Sequence, residues 1–131
     1  MSPTELWHFL PIGYLVTVLI ETPVLLIGLS PRHTFKRRLF AGVWLNACSY
    51  PIVVLVMPLA LANVSRATYL IVAETFAPVA ECALFWLAFG RAEEAGKASM
   101  WRDFITIVVA NLASFAGGEI LSAYGWLGLV D

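Results

Sequence analysis

Four polar side chains that could hold a proton or a cation lie inside long apolar stretches of this sequence. They are two glutamates and two asparagines: Glu21, Asn46, Glu81 and Asn111. A carboxyl group can release and rebind a proton, and carboxylate and carboxamide oxygens are the ligands that hard cations prefer. An ionised carboxyl inside a bilayer is costly unless it is paired, so such residues often mark an ion pathway. The four residues are therefore the candidate site.

Further polar residues accompany these four at the spacing of a helix face. Tyr14, Thr17 and Glu21, for example, follow one another at i, i+3 and i+7. Two of the accompanying residues are glutamates about two turns farther along their helices, and they predict a second, outer carboxyl layer. The supporting residues are Tyr14, Thr17, Ser49, Tyr50, Glu74, Ser114 and Glu119. Their alternative role is structural, because Asn, Ser and Tyr commonly form hydrogen bonds between membrane helices.

Long apolar helices are the elements that must position these residues. The chain has 131 residues, of which 60% are hydrophobic and 13% are charged. This composition excludes a disordered chain, a basic nucleic-acid-binding module and a typical water-soluble domain. A bilayer core needs about 20 apolar residues in a helix, and four segments qualify: 6–29, 39–62, 69–89 and 103–124. The sequence predicts one all-α integral membrane domain over 1–131, a four-transmembrane-helix bundle.

The basic residues predict how the bundle is oriented. All Lys and Arg residues except Arg66 fall between spans one and two or between spans three and four. The first group is Arg32, Lys36, Arg37 and Arg38, and the second is Arg91, Lys97 and Arg102. By the positive-inside rule we expect both basic loops to be cytoplasmic and both chain termini to lie outside.

The depth of the polar residues and a weak internal repeat predict how the helices are arranged. Counted from the basic end of each span, the four site residues all lie about 10–12 Å into the membrane. Each half of the chain has a glutamate, then a basic loop, then an Asn-x-x-Ser-aromatic motif. The two motifs are Asn46-Ala-Cys-Ser49-Tyr50 and Asn111-Leu-Ala-Ser114-Phe115. This order predicts two parallel helical hairpins related by a pseudo-two-fold axis along the membrane normal.

Such an axis would place Glu21 opposite Glu81. Two facing carboxyls in a bundle of low dielectric constant should titrate as a coupled pair, sharing one proton or holding a cation. The sequence therefore predicts a small polytopic membrane protein whose carboxyl and carboxamide layer binds or conducts a proton or a cation. Two alternatives remain: a non-catalytic accessory subunit of a larger membrane complex, and a binder of a polar lipid or small amphiphile.

Other chemistry is not predicted. Two histidines, His8 and His33, are too few for a zinc or haem site, and Cys48 and Cys82 fall inside spans as small apolar residues. No nucleophile–base pair or phosphate-binding loop is visible, so we expect neither an enzyme nor a bound cofactor, and the sequence identifies no metal. The expected partners are membrane lipids, a proton or cation, and either further copies of the chain or a membrane complex. Nucleic acid is not among them.

Overall fold

Four long helices form the part of the chain that the computed structural model describes, residues 3–31, 33–90 and 97–125. Helix α1 is Pro3–Gly28. Helix α2 comprises Phe35–Pro51, a π-helical turn at Ile52–Val56 and a final turn at Met57–Ala60. Helix α3 comprises Arg66–Phe85 and a π-helical turn at Trp86–Gly90, and α4 is Lys97–Ala123.

These helices confirm the predicted all-α class. Four segments are long and apolar enough to cross a membrane: Trp7–Gly28, Phe35–Ala60, Arg66–Phe89 and Ala98–Ala123. Among the described residues there is no strand. The chain therefore has the architecture of a multi-pass membrane protein.

Helices α2, α3 and α4 begin before the apolar spans that the sequence predicts. The helices begin at Phe35, Arg66 and Lys97, earlier than the predicted 39, 69 and 103. Lys36, Arg37, Arg38 and Arg102 consequently lie within helices and not in loops, whereas Arg32 and Arg91 lie outside the described residues. The prediction followed apolar residues only, but a helix continues through long basic side chains because they reach back towards water.

N-terminal caps set two of these starts. The Thr34 hydroxyl accepts a hydrogen bond from the backbone N–H of Arg37, and the Ser65 hydroxyl accepts one from the N–H of Thr68. Each cap satisfies one of the N–H groups that the first helical turn leaves without a partner. The capping residue, and not the end of the apolar run, therefore determines where the helix begins.

Helix α1 packs extensively against α2 and α4, and α3 packs less closely against the same two helices. Helices α1 and α3 therefore face each other across the bundle. Glycines allow close approach on both sides of α1: a Cβ atom at Gly42 of α2 would lie 2.3 Å from Thr22 Oγ1. Similarly, a Cβ atom at Gly28 would lie 2.5 Å from a methyl carbon of Thr106 on α4. Small residues at these crossings are typical of packing between membrane helices.

A backbone carbonyl released in α2 joins this helix to α3. In the π-helical turn the N–H of Met57 donates to the carbonyl of Ile52. The next residue, Pro58, has no N–H to donate to the carbonyl of Val53. The Tyr69 hydroxyl of α3 donates to that carbonyl at 3.1 Å. The side chain thus satisfies a polar group for which lipid would offer no partner.

The bundle is packed differently towards its two ends along the helix axes. We call the end where α1 finishes and α2 begins the basic end, and the opposite one the terminal end. The apolar core lies in the half nearest the basic end and consists of Leu25, Leu29, Ala41, Leu45, Phe85, Ile107 and Ala110. The half nearest the terminal end contains a cavity.

Candidate functional site

The four residues of the predicted layer are all buried. The exposed fraction is 1% for Glu21, 2% for Asn46, 2% for Glu81 and 5% for Asn111. They lie directly on the terminal side of the apolar core, because each is within about one helical turn of a core residue on its own helix. The structure brings them together, and the carboxyls of Glu21 and Glu81 lie close enough for their charges to interact.

A serine of a neighbouring helix donates a hydrogen bond to each of the two carboxyls. Ser114 Oγ of α4 donates to Glu21 Oε2 of α1 at 2.6 Å. Ser49 Oγ of α2 donates to Glu81 Oε2 of α3 at 3.2 Å. The other oxygen of Glu21, Oε1, is buried and has no hydrogen-bond partner among the described residues. One carboxylate oxygen of the site is therefore left with its bonding capacity unused.

The two asparagines anchor their amides within their own helices. Asn46 Nδ2 donates to the carbonyl of Gly42 at 2.8 Å, and Asn111 Nδ2 donates to that of Ile107 at 2.9 Å. Each side chain also lies beside a carboxyl of the preceding helix in the chain, Asn46 beside Glu21 and Asn111 beside Glu81. The asparagines thus hold fixed dipoles next to the carboxyl pair.

A cavity of about 250 Å³ leads from the terminal end to the carboxyl pair. Most of the predicted residues line it: Thr17, Glu21, Ser49, Tyr50, Glu74, Glu81, Asn111, Ser114 and Glu119. Asn46 is not among the lining residues, and neither is Tyr14. The Tyr14 hydroxyl donates to the carbonyl of Val43 at 2.8 Å, which joins α1 to α2 instead.

The two outer glutamates differ in their surroundings. Glu119 is partly exposed, and both of its carboxylate oxygens lie 3.1 Å from Nη2 of Arg66 at the terminal end. Glu74 is half-buried on α3, within electrostatic range of Glu119 and of both inner carboxyls. The cavity is therefore lined by the inner Glu21–Glu81 pair and, nearer the terminal end, by the two outer glutamates.

The basic end is closed by a buried polar cluster that the sequence reasoning missed. Asp103 Oδ2 lies 2.8 Å from His33 Nε2, and both side chains are almost fully buried. The backbone N–H of Ser30 donates to Asp103 Oδ1 at 2.7 Å. The available signal was an acidic residue at the start of an apolar span, in a segment otherwise rich in basic residues.

Arginines at the basic end bind the last carbonyls of α1 and of the segment after it. Arg102 Nε donates to the Gly28 carbonyl at 2.8 Å, and Arg38 donates to the carbonyls of Leu26 and Ser30. The C-terminal carbonyls of a helix have no partners within the helix and carry partial negative charge, so cations stabilise them. These basic residues therefore have a structural role in addition to any role in orientation.

The fold and the site together define a four-span α-helical membrane protein with a buried carboxyl pair at the base of a polar cavity. Comparison with protein-family models, curated proteins and solved structures finds no match for this chain. Among the described residues no group of three or more His, Cys, Asp or Glu side chains could hold a metal ion. The carboxyls instead lie both at the base of the cavity and nearer the terminal end.

Proposed function

We propose that this protein binds a proton or a small cation at the Glu21–Glu81 pair and moves it across the membrane. One observation carries the proposal: the cavity connects the terminal end with this pair, while the apolar core closes the other side. Transport coupled to binding requires a site that is accessible from only one side of the membrane at a time. By the positive-inside rule, the cavity opens to the outside.

The hydrogen bonds of Ser114 favour a proton as the bound species. Its hydroxyl lies 2.6 Å from Glu21 Oε2 and 3.0 Å from the carbonyl of Asn111, but it carries one hydrogen. With Glu21 ionised, Ser114 donates to Glu21. With Glu21 protonated, Glu21 donates to Ser114, which donates to Asn111. The Ser114 hydroxyl and Glu21 Oε2 are therefore satisfied in both protonation states without moving a heavy atom, whereas a cation such as Ca²⁺ takes six to eight oxygen ligands.

Two corresponding serine–glutamate bonds support a repeat of two parallel hairpins. In such a repeat Glu21 corresponds to Glu81 and Ser114 to Ser49. The bond from Ser114 to Glu21 then has its counterpart in the bond from Ser49 to Glu81. A proton bound by either carboxyl then lies beside a serine of the other hairpin, as expected if the pair works as one unit.

Proton flux into reconstituted vesicles tests the proposal. Vesicles with a trapped pH-sensitive dye and an imposed membrane potential report flux through wild type, Glu21→Gln and Glu81→Gln. Gln keeps the shape and hydrogen bonding of Glu but cannot ionise, so each variant should lose about tenfold or more of the flux. Glu5→Gln, which removes the same charge at an exposed position, is the matched control. Wild-type flux through the Glu21→Gln/Glu81→Gln double variant would contradict the proposal.

A second candidate function, a non-catalytic subunit of a larger membrane complex, is supported by the same serine–glutamate bonds. Each bond joins two helices and could serve only to hold the bundle together. In that case the wild type shows neither flux nor pH-dependent binding. Glu81→Gln is then tolerated, whereas Glu81→Leu lowers the stability of the bundle.

A further inference from the structure

We infer that the cavity binds a small organic cation, a protonated amine with a short aromatic or alkyl body, in exchange for a proton of the Glu21–Glu81 pair. This inference rests on the proposed function and names the substrate class of the same site. A proton alone needs no room, whereas the cavity above the pair has a volume of about 250 Å³. That volume is slightly below the range of about 300–1,000 Å³ typical of small-molecule sites, so the ligand is small.

The lining of the cavity combines acidic and aromatic side chains. The carboxyls are those of Glu21, Glu74, Glu81 and Glu119, and the aromatic residues are Phe9, Tyr50, Tyr69 and Phe115. Among the described residues that line it there is no Lys, Arg or His. Carboxylates and aromatic faces both attract organic cations, and apolar walls accept the body of such a ligand. Val53, Val54, Leu70 and Ala77 supply those walls.

The unused oxygen of Glu21 indicates what the ligand brings to the base of the cavity. Glu21 is 1% exposed, lines the cavity, and its Oε1 has no hydrogen-bond partner among the described residues. A buried acceptor without a donor is destabilising. A protonated amine supplies N–H donors and a positive charge together, whereas a neutral apolar ligand supplies neither. A bare metal ion is disfavoured because the described residues offer no group of three or more acidic, His or Cys side chains that could hold it.

The exchange balances in charge and atoms. A protonated carboxyl of the pair releases its proton to the cavity water as the ammonium group arrives, and the carboxylate that remains is neutralised by the amine. One positive charge enters the site and one leaves it. The amine and the proton therefore compete for the same carboxyls, and binding of the amine must release a proton.

Binding of phenethylammonium to the purified protein in nanodiscs tests the inference. Calorimetry in buffers of different ionisation enthalpy gives both the affinity and the number of protons released. The neutral analogue 2-phenylethanol has a similar body without the charge. Two comparisons each remove one charged hydrogen bond: 2-phenylethanol with the wild type, and phenethylammonium with Glu21→Gln. In both, we expect binding to be about ten- to a hundredfold weaker than that of phenethylammonium to the wild type.

A second pair of variants tests the role of the cavity independently of the Glu21 carboxyl. A Cβ atom at Gly118 meets no atom within 4 Å, and Gly118 lines the cavity, so Gly118→Phe fills part of it. Ala116→Phe adds the same side chain at an exposed position of α4 and is the matched control. Gly118→Phe should weaken phenethylammonium binding at least about tenfold, with Ala116→Phe unchanged.

The outcomes distinguish the two proposals. Proton flux in the wild type without phenethylammonium binding overturns the organic-cation inference and leaves the proposed function in place. Equal affinity for 2-phenylethanol, or unchanged binding in Gly118→Phe, also overturns it, because the ligand then ignores the charge or lies elsewhere. Absence of both flux and amine binding overturns both.

Discussion

Replacing Asp103 with alanine is expected to lower the free energy of unfolding of the bundle by about 3 kcal/mol. The carboxylate is fully buried between α4 and the segment that follows α1. It accepts hydrogen bonds from the backbone N–H of Ser30 at 2.7 Å and from the Ser30 hydroxyl at 3.1 Å, and it contacts His33 Nε2 at 2.8 Å.

The magnitude follows from the groups that lose their partner. Asp103→Ala leaves the N–H of Ser30 and Nε2 of His33 buried without this acceptor, whereas the Ser30 hydroxyl, which still accepts from Ser99 Oγ at 2.8 Å, can rotate its own hydrogen. Each buried polar group without a partner costs about 1–3 kcal/mol. The two costs are not fully additive because the groups are neighbours and relax together, so about 3 kcal/mol is expected.

Asp103→Asn should be intermediate, at about 1–2 kcal/mol. His33 Nε2 lies 2.8 Å from the Asp103 carboxylate, which can only accept, so Nε2 carries the hydrogen of this bond. The carboxylate offers one oxygen, Oδ1, to the N–H of Ser30 and the other, Oδ2, to Nε2 of His33. The carboxamide of Asn has one oxygen, so one of the two donors faces an N–H group.

Unfolding by sodium dodecyl sulfate in mixed micelles, followed by tryptophan fluorescence, measures these differences. A double-mutant cycle of Asp103→Ala with His33→Ala isolates the interaction, and its coupling should be at least about 1 kcal/mol. Lys36→Ala removes a charged side chain from an exposed position and should stay within about 0.5 kcal/mol of wild type. An Asp103→Ala variant as stable as Lys36→Ala, or a cycle with no coupling, would contradict the predicted loss.

Two further predictions concern orientation and helix packing. A cysteine in the 32–38 segment should react with a membrane-impermeant reagent only from the cytoplasmic side, and one at the C-terminus only from outside; labelling of both from one side contradicts the positive-inside assignment. Gly42→Leu should lower the stability in the same unfolding assay by about 1–3 kcal/mol, because its Cβ would lie 2.3 Å from Thr22 Oγ1. Gly118→Ala, with open space at its Cβ, should have little effect, and equal losses would show that the Gly42 contact is unimportant.

The class of protein and the composition of the inner layer could be predicted from the sequence. Membrane spans are recognisable because a bilayer requires every spanning segment to be apolar over a known length. A polar residue within such a span then has a depth, since a helix rises by about 1.5 Å per residue. Glu21, Asn46, Glu81 and Asn111 could therefore be grouped before any contact between helices was known.

Tertiary structure alone decided which of these residues touch and what surrounds them. Helical spacing shows which residues share a face, but not which neighbour that face meets, so the bond of Ser114 to Glu21 could not be predicted. Residues outside the apolar spans were harder still: Arg66 pairs with Glu119, and His33 with Asp103, across long separations in the chain. Their positions depend on how far each helix extends beyond its apolar stretch and on how it rotates against its neighbours. Packing of whole helices sets both, and the apolar pattern that identifies a span does not encode them.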